Sequence, residues 1–295
     1  MQLVHVETFV AILEEGSLAE AALRLDVSPS TVTERLQALE RELGCRLVDR
    51  SRSGVAPTAA GLRVRANATT MIELWTQIRR EASLAADVTD TCVFACHVDA
   101  WVGAGDRLLS AIRTAAPHLA ITVRTGSERE VLGWQRSGLA DVALLHDADA
   151  PAGHERHRLA EDRLILVSDR PDTPLRFDPG YVFVDLGEAF VRAHAAAYTD
   201  ASLAFVTFDD ASTAVEHIAN HGGSAYVPER LAADRLASRT LHHLAEAPEF
   251  GRGLDLVVAP DAAPRFTWLQ GVLDEVRAGA TDPAGAGVRP RAPRG

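Results

Sequence analysis

Ser28-Pro29-Ser30-Thr31-Val32-Thr33-Glu34-Arg35 is the stretch that decides how this chain folds. A serine before a proline starts a helix. The hydroxyl caps free amides, and proline at the first helical position forfeits no hydrogen bond. Val32, Leu36, Leu39 and Leu43 recur at helical spacing and predict one buried stripe, which Gly44 closes. The outward face begins with Ser28, Pro29, Ser30, Thr31, Thr33, Glu34 and Arg35. Short polar side chains at a helix N-terminus, with an arginine beyond them, suit phosphate oxygens and base edges in the major groove of double-stranded DNA.

Upstream, Leu3, Val6, Phe9, Val10 and Leu13 predict a first helix stopped by Gly16. Ser17-Leu18-Ala19-Glu20 has the form of a capping box, and Ala21, Ala22 and Leu25 supply the inner face of a short second helix. Downstream, two short apolar pieces flank the tip Arg50-Ser51-Arg52-Ser53-Gly54, the composition of a small β-wing. Its arginines, Arg50 and Arg52, would lie over the DNA backbone or in a neighbouring minor groove. Thr58 caps a further helix that can run to about Asp87. Leu62, Ala66, Thr69, Ile72, Trp75, Ile78 and Leu84 keep a narrow apolar seam along it. Such a seam predicts pairing with a partner helix.

The whole chain carries a formal charge of −11 and a pI near 5.5, which disfavours nucleic acid as a partner on the global scale. A DNA footprint is local, however. Residues 35–65 hold seven arginines (Arg35, Arg41, Arg46, Arg50, Arg52, Arg63 and Arg65) against Glu40, Glu42 and Asp49. The chain has no lysine, so its cationic contacts are all forked. At 295 residues and 47% hydrophobic content it can bury more than one core. No apolar run approaches the roughly 20 residues that span a bilayer. The N-terminus lacks the pattern of a secretory leader. With only Cys45, Cys92 and Cys96, a reduced cytoplasmic protein is expected, without a membrane partner. Cys92 and Cys96 on one extended strand would be roughly 13 Å apart, beyond disulfide reach.

Phe9, Gly16-Ser17, Ala21-Ala22, Leu25, Val27-Ser28, Val32-Thr33, Leu39-Glu40, Leu43-Gly44, Leu47, Arg50 and Thr58-Ala59-Ala60-Gly61 together resemble the winged helix-turn-helix of LysR-type transcriptional regulators. The match covers the N-terminal segment with its spacing intact. The resemblance implies sequence-specific binding to an inverted-repeat operator by a homodimer, within a homotetramer, and no enzymatic activity. It adds Thr58 to the residues facing DNA. At Glu34, where the family often has a basic or amide side chain, a carboxylate can accept from a cytosine amino group or exclude unwanted sequences.

Beyond residue 88, strands alternate with helices. Strands are predicted at 91–96, 119–124, 139–145, 163–167, 181–184, 204–208, 225–227 and 254–258, and a last helix at 268–277, which predicts an α/β unit with a parallel sheet. Gly138-Leu139-Ala140-Asp141-Val142-Ala143 and Gly222-Gly223-Ser224-Ala225-Tyr226-Val227-Pro228 resemble signatures of the same family's two-lobed, periplasmic-binding-protein-like (type 2) effector domain. The implied division is a winged helix-turn-helix at 1–58, a linker dimerisation helix at 59–88, an effector-binding domain at 89–280 and a disordered tail at 281–295. A small-molecule effector would bind between the lobes, at carboxyl ends of strands where helix N-termini converge. The candidates are His97, Val98 and Asp99 after the first strand, Gly126 and Ser127 after the second, and Thr207 and Phe208 in the second lobe. Asp99 would repel an anion unless its charge is offset, which argues against a simple dicarboxylate; capping the helix that follows it is the plainer role. His217 and His221 stand one helical turn apart, but with no further ligand set they are expected to be solvated. There is no nucleophile elbow, phosphate loop or metal-ligand signature, so neither a cofactor nor a resident metal is expected.

Overall fold

The computed structural model describes residues 2–51, 54–85, 87–176, 178–199 and 204–280. The chain divides into two compact units, Met1–Ala85 and Ala86–Gly295. Arg52, at the expected wing tip, and the expected tail at 281–295 lie outside the described residues.

The first unit opens with α1 (Leu3–Glu15), which ends at Gly16 in the left-handed region, φ 65°. In α2 (Leu18–Arg24) the Ser17 hydroxyl accepts from the amides of Ala19 and Glu20. α3 (Pro29–Leu43) starts with Ser28 Oγ accepting from the Thr31 amide at 3.2 Å, and ends at Gly44, φ 69°. Val32, Leu36 and Leu39 bury their stripe against Val6, Phe9, Val10 and Ile12 of α1 and Ala21 and Ala22 of α2. A hairpin of β1 (Val48–Ser51) and β2 (Gly54–Pro57) follows, anchored where Glu40 Oε1 accepts from Leu47 N at 2.7 Å and Val55 N donates to Gly16 O at 2.9 Å.

α4 (Ala59–Glu81) is capped by Thr58, whose Oγ1 accepts from Gly61 N. It ends six residues before the expected Asp87, so at ~1.5 Å per residue it is about 35 Å long. Its apolar residues divide between two faces. Gly61, Val64, Ala68 and Ile72 pack into the unit's own core, while Met71, Leu74, Trp75 and Ile78 are exposed on an adjoining face and Leu62 stands exposed apart from both. Ile72 thus leaves the expected seam, and Leu84 falls beyond the helix.

The second unit runs β3 (Asp90–His97), the single turn α5 (Val98–Ala100), a wide turn over Trp101–Gly105, α6 (Asp106–Ala115), β4 (Leu119–Gly126), α7 (Glu128–Arg136), β5 (Val142–His146) and β6 (Glu155–Ser168). It continues with β7 (Val182–Val184), α8 (Glu188–Ala197), β8 (Val206–Phe208), α9 (Ala211–His221), β9 (Ser224–Pro228), α10 (Glu229–Ala237), β10 (His242–His243), β11 (Phe250–Val258) and α11 (Leu269–Ala280). α6 starts only at Asp106, because Gly103 takes φ 78° inside the wide turn.

The main sheet is mixed rather than wholly parallel. β3 pairs in parallel with β4 and β5, whereas β11 is antiparallel to β5 and β6, and β6 is antiparallel to β9 and β10. A separate parallel pair joins β7 and β8. β6 begins at Glu155 rather than at Arg163; its first half, Glu155–Asp162, is mostly charged and becomes a strand by pairing with β11. One core gathers Phe94, Leu108, Ile112, Leu144, Leu256 and Leu273; a second gathers Leu164, Leu166, Val184, Phe190, Ile218 and Tyr226. These are two lobes, and β6 and β11 contribute to both. Cys92 and Cys96 are buried in the first, where burial pushes the Cys96 thiol up to about 12 and the Cys92 thiol further still.

Gly61 shows how closely the first unit is packed. A Cβ there would meet Leu47 O at 2.1 Å, and a carbonyl oxygen in a hairpin anchor cannot swing aside. Gly61→Ala is expected to destabilise the N-terminal unit by about 1–3 kcal/mol, seen as an earlier loss of helical circular dichroism on heating. An unchanged transition would show that the hairpin shifts freely on α4.

Candidate functional site

In the first unit, Ser28, Pro29, Ser30 and Glu34 are exposed, while Thr31, Thr33 and Arg35 are half-buried. The Ser28 hydroxyl lies 2.7 Å from that of Ser30 and 2.8 Å from that of Thr31 at the helix start. Exposed Gln37 and Arg41 continue the line of Ser30 and Glu34 along α3. The sequence reading stopped at Arg35 and missed Gln37; helical spacing from Ser30 would have found it. Arg50 is exposed on β1. Thr58 is half-buried and spends its hydroxyl internally, donating to Arg46 O at 2.8 Å as well as capping α4.

In the second unit, the ends of β3 and β5, the middle of β6 and the first residues of β11 bring together a buried polar group. His97 is buried, its Nδ1 accepting from Asp99 N at 3.2 Å, and its ring meets His146 edge-on with centroids 5.3 Å apart. His146 Nε2 lies 3.2 Å from Asp162 Oδ2. Arg230 forks onto Asp162 at 2.8 and 2.9 Å and donates to Val102 O at 2.6 Å.

Asp99 is 0% exposed and does not cap the helix after it. Its Oδ1 accepts from Ala211 N at 2.9 Å and Ser212 N at 3.2 Å, which places a first-lobe carboxylate on the N-terminus of second-lobe α9. The helix dipole and two amides offset the charge that made Asp99 an awkward neighbour for an anion. Arg252 adds a guanidinium 3.7 Å from Asp99 Oδ2. Asp162 and Arg252 escaped the sequence reading because they lie outside the strands expected at 163–167 and 254–258, and Arg230 because nothing local marks its helix as part of a site.

The other expected residues lie around this group in different states. Val98 is exposed at the end of β3. Gly126 ends β4 in contact range of Trp134 and Glu130. The Ser127 hydroxyl donates to Glu130 Oε2 at 2.7 Å within the α7 capping box, so it is already engaged. Thr207 is exposed on β8, and Phe208 packs its ring 5.2 Å from His217. The His217 and His221 rings are 5.0 Å apart.

The electrostatics follow from burial. Burial pushes the His97 imidazole down to about 3, with His146, Arg252 and Arg230 acting in the same direction. Burial also takes His146 down to about 4, against the Asp162 hydrogen bond. For Asp162, burial acts upward, but the bonds from His146 and Arg230 outweigh it and hold the carboxyl well below the usual carboxylate range. Burial pushes Asp99 up against the pull of Arg252 and the two amides.

Comparison with known proteins places both units. Residues 3–62 match the family described as bacterial regulatory helix-turn-helix protein, lysR family, and residues 105–278 match the LysR substrate binding domain. The chain is 26% identical to the uncharacterized HTH-type transcriptional regulator YnfL of Escherichia coli, over 65% of each chain. It is 30% identical to the lysine export transcriptional regulatory protein LysG of Corynebacterium efficiens, over 57% of each. These matches span less than two thirds of either relative. The crystal structure of CbnR, a LysR family transcriptional regulator, superposes with a TM-score of 0.72 at 20% identity, covering 96% of this chain and all of that one. The same protein complexed with its target DNA gives 0.70.

The buried histidines make stability depend on pH. An unfolded histidine takes up a proton near 6.5, whereas His146 in place does so only at about 4 and His97 at about 3. Between those limits the unfolded chain binds more protons, so stability falls as pH drops from 6.5 toward 4. Asp162 adds its loss only below the usual carboxylate range, and Asp99, pushed up, acts in the opposite sense. His146→Gln is expected to remove about one proton from this slope, measured by urea denaturation at a series of pH values. A slope equal to that of the unsubstituted chain would mean His146 is already protonated in the fold.

Proposed function

The chain belongs to the LysR family of transcriptional regulators, and from that premise we propose how its own residues read DNA, pair and respond. The observation that carries the reading is the outward line Ser30, Glu34, Gln37 and Arg41 on α3, opposite the buried line Val32, Leu36 and Leu39. A helix held rigidly by one face, with short polar and forked side chains on the other, fits a major groove. Ser28, Pro29 and Thr31 sit at its N-terminus, where phosphate oxygens approach; Thr33 and Arg35 flank the line, and Arg50 on the hairpin supplies backbone contact. Thr58 acts by holding Gly61 and the hairpin in place. CbnR solved on its target DNA supports this use of the fold.

The proposed division is a DNA-reading head at 1–58, a linker at 59–88 whose helix ends at Glu81, and an effector domain at 89–280. Met71, Leu74, Trp75 and Ile78, which share one side of α4 at 100° per residue, are 37%, 36%, 46% and 51% exposed. An apolar face of this size on a helix whose other face is already buried is covered by a second copy of the chain. Two heads so joined would meet an inverted repeat, and two such dimers would make the tetramer. The second unit senses a small molecule where its lobes meet around His97, Asp99 and Arg252, without turnover. Among the described residues, no helix is long and apolar enough to cross a membrane.

The tests use the full chain on an operator fragment recovered by selection. Glu34→Ala is expected to relax preference at one base position, with little loss on the best sequence. Arg50→Ala is expected to weaken all sequences alike and to lower the salt slope by about 0.9. If both substitutions leave footprint and salt slope unchanged, α3 is not the reading helix. Trp75→Arg with Ile78→Arg is expected to give monomers in analytical ultracentrifugation and to abolish half-site cooperativity. Dimers that persist would place the pairing elsewhere.

A further inference from the structure

Arg252 is 5% exposed, and its buried Nη1 finds no hydrogen-bond partner among the described residues, lying 3.7 Å from Asp99 Oδ2. Its cross-strand partner in the β6–β11 ladder is Asp162, but both oxygens of Asp162 are given to Arg230 and His146. Its remaining anion, Asp99, spends Oδ1 on α9 and leaves Oδ2 3.7 Å away without a hydrogen-bond donor. His146 Nδ1, on the ring that meets His97, is also buried without a hydrogen-bond partner among the described residues. A buried cation costs several kcal/mol unless hydrogen-bonded, so a forked donor left open is a place where an acceptor from outside belongs.

The approach to that place is acidic. Glu128 at the start of α7 lies within electrostatic reach of Arg252 and of Asp147, Asp149 and Asp185, and all four carboxylate residues are exposed. They come from both lobes: Glu128, Asp147 and Asp149 follow β4 and β5, and Asp185 follows β7. Asp147 is partly countered by Arg158 at 3.4 Å. A simple anion would meet net repulsion at this rim, while a simple cation would be drawn to it but would leave Arg252 unsatisfied.

We propose that the interlobe site takes a zwitterion of the α-amino acid class, its carboxylate on Arg252 and its ammonium toward Glu128 and the free oxygen of Asp99. The helix-end amides of α9, which would otherwise receive a ligand carboxylate, are already filled by Asp99. The ligand's anion is therefore read by an arginine on β11 instead. This rests on the reading of the cleft as the effector site and names the class of compound it accepts.

The test is calorimetric titration and thermal shift of the full chain with the standard L-amino acids at about 10 mM. For each compound that binds, the decarboxylated amine and the deaminated acid are measured beside it, with succinate as a plain dicarboxylate. The expected result is stabilisation by one or more amino acids, with each one-charge analogue at least about tenfold weaker. Arg252→Gln is expected to weaken binding by about 10- to 100-fold, and the exposed rim variant Glu128→Gln by several-fold. The analogue series needs no variant, so it decides even if Arg252→Gln fails to fold. Failure of every amino acid to bind, or binding indifferent to both substitutions, overturns the proposal. Succinate or a deaminated acid binding more tightly, and through Arg252, would also overturn it while leaving the cleft as the effector site. Binding of none of these compounds, with a substituted cleft that leaves operator release in cell extract unchanged, would remove both.

Discussion

The antiparallel ladder between β6 and β11 is the constraint on which the sensing unit depends. Phe250–Val258 runs beside Glu155–Leu164, interrupted by one bulge at Leu254/Asp255. Both strands are shared by the two lobes, so neither lobe can be laid down without the other. The ladder also sets Arg252 opposite Asp162 and turns the buried polar group toward the ends of β3 and β5. At the bulge, fully buried Asp255 accepts from Ala148 N and from Arg158 Nε, which ties the β5 loop to the same pair of strands.

Within that frame the charges are distributed unequally. Asp162 is saturated by Arg230 and His146, whereas Asp99 and Arg252 meet only at 3.7 Å. A fold selected for stability alone would close that gap or fill it with apolar atoms, since an ion pair in low dielectric repays its desolvation only with good geometry. Keeping the gap open is consistent with a site whose last partner is supplied from solution. The two histidines remain neutral at ordinary pH because burial and two arginines disfavour a further positive charge.

The N-terminal unit shows the opposite economy, with nearly every special residue accounted for by packing. Ser28 caps α3, Glu40 receives two hairpin amides, Thr58 bridges Arg46 O and Gly61 N, and Gly61 clears Leu47 O. What this rigidity leaves over is the outward line of α3 and the outer face of α4. These are the two surfaces to which the proposed DNA and partner-chain contacts are assigned.

The winged helix-turn-helix was legible in the sequence to within a few residues, because its signals are local. Caps, terminal glycines and the 3.6-residue spacing act within one or two turns, and Val32, Leu36 and Leu39 faced inward as their spacing required, whereas Leu43, expected in the same stripe, is exposed at the end of α3 beyond the core. The sensing lobes were legible as a series of strands and helices, but not as a mixed sheet. Residues 155–162 are too polar to read as a strand, and pairing with β11 makes them one. Two faces of α4 were read as one seam, since spacing shows amphipathicity without showing which side a neighbour already covers. His97 and Asp99 were found from their place after β3. Their partners Arg252, Asp162 and Arg230 were not, because ladder register and helix docking bring them there from 63 or more residues away. The sequence by itself determined which short segments coil, where they stop and which helix presents polar groups outward. Only the tertiary structure decided which buried charges are satisfied, because that depends on contacts between strands distant in the chain.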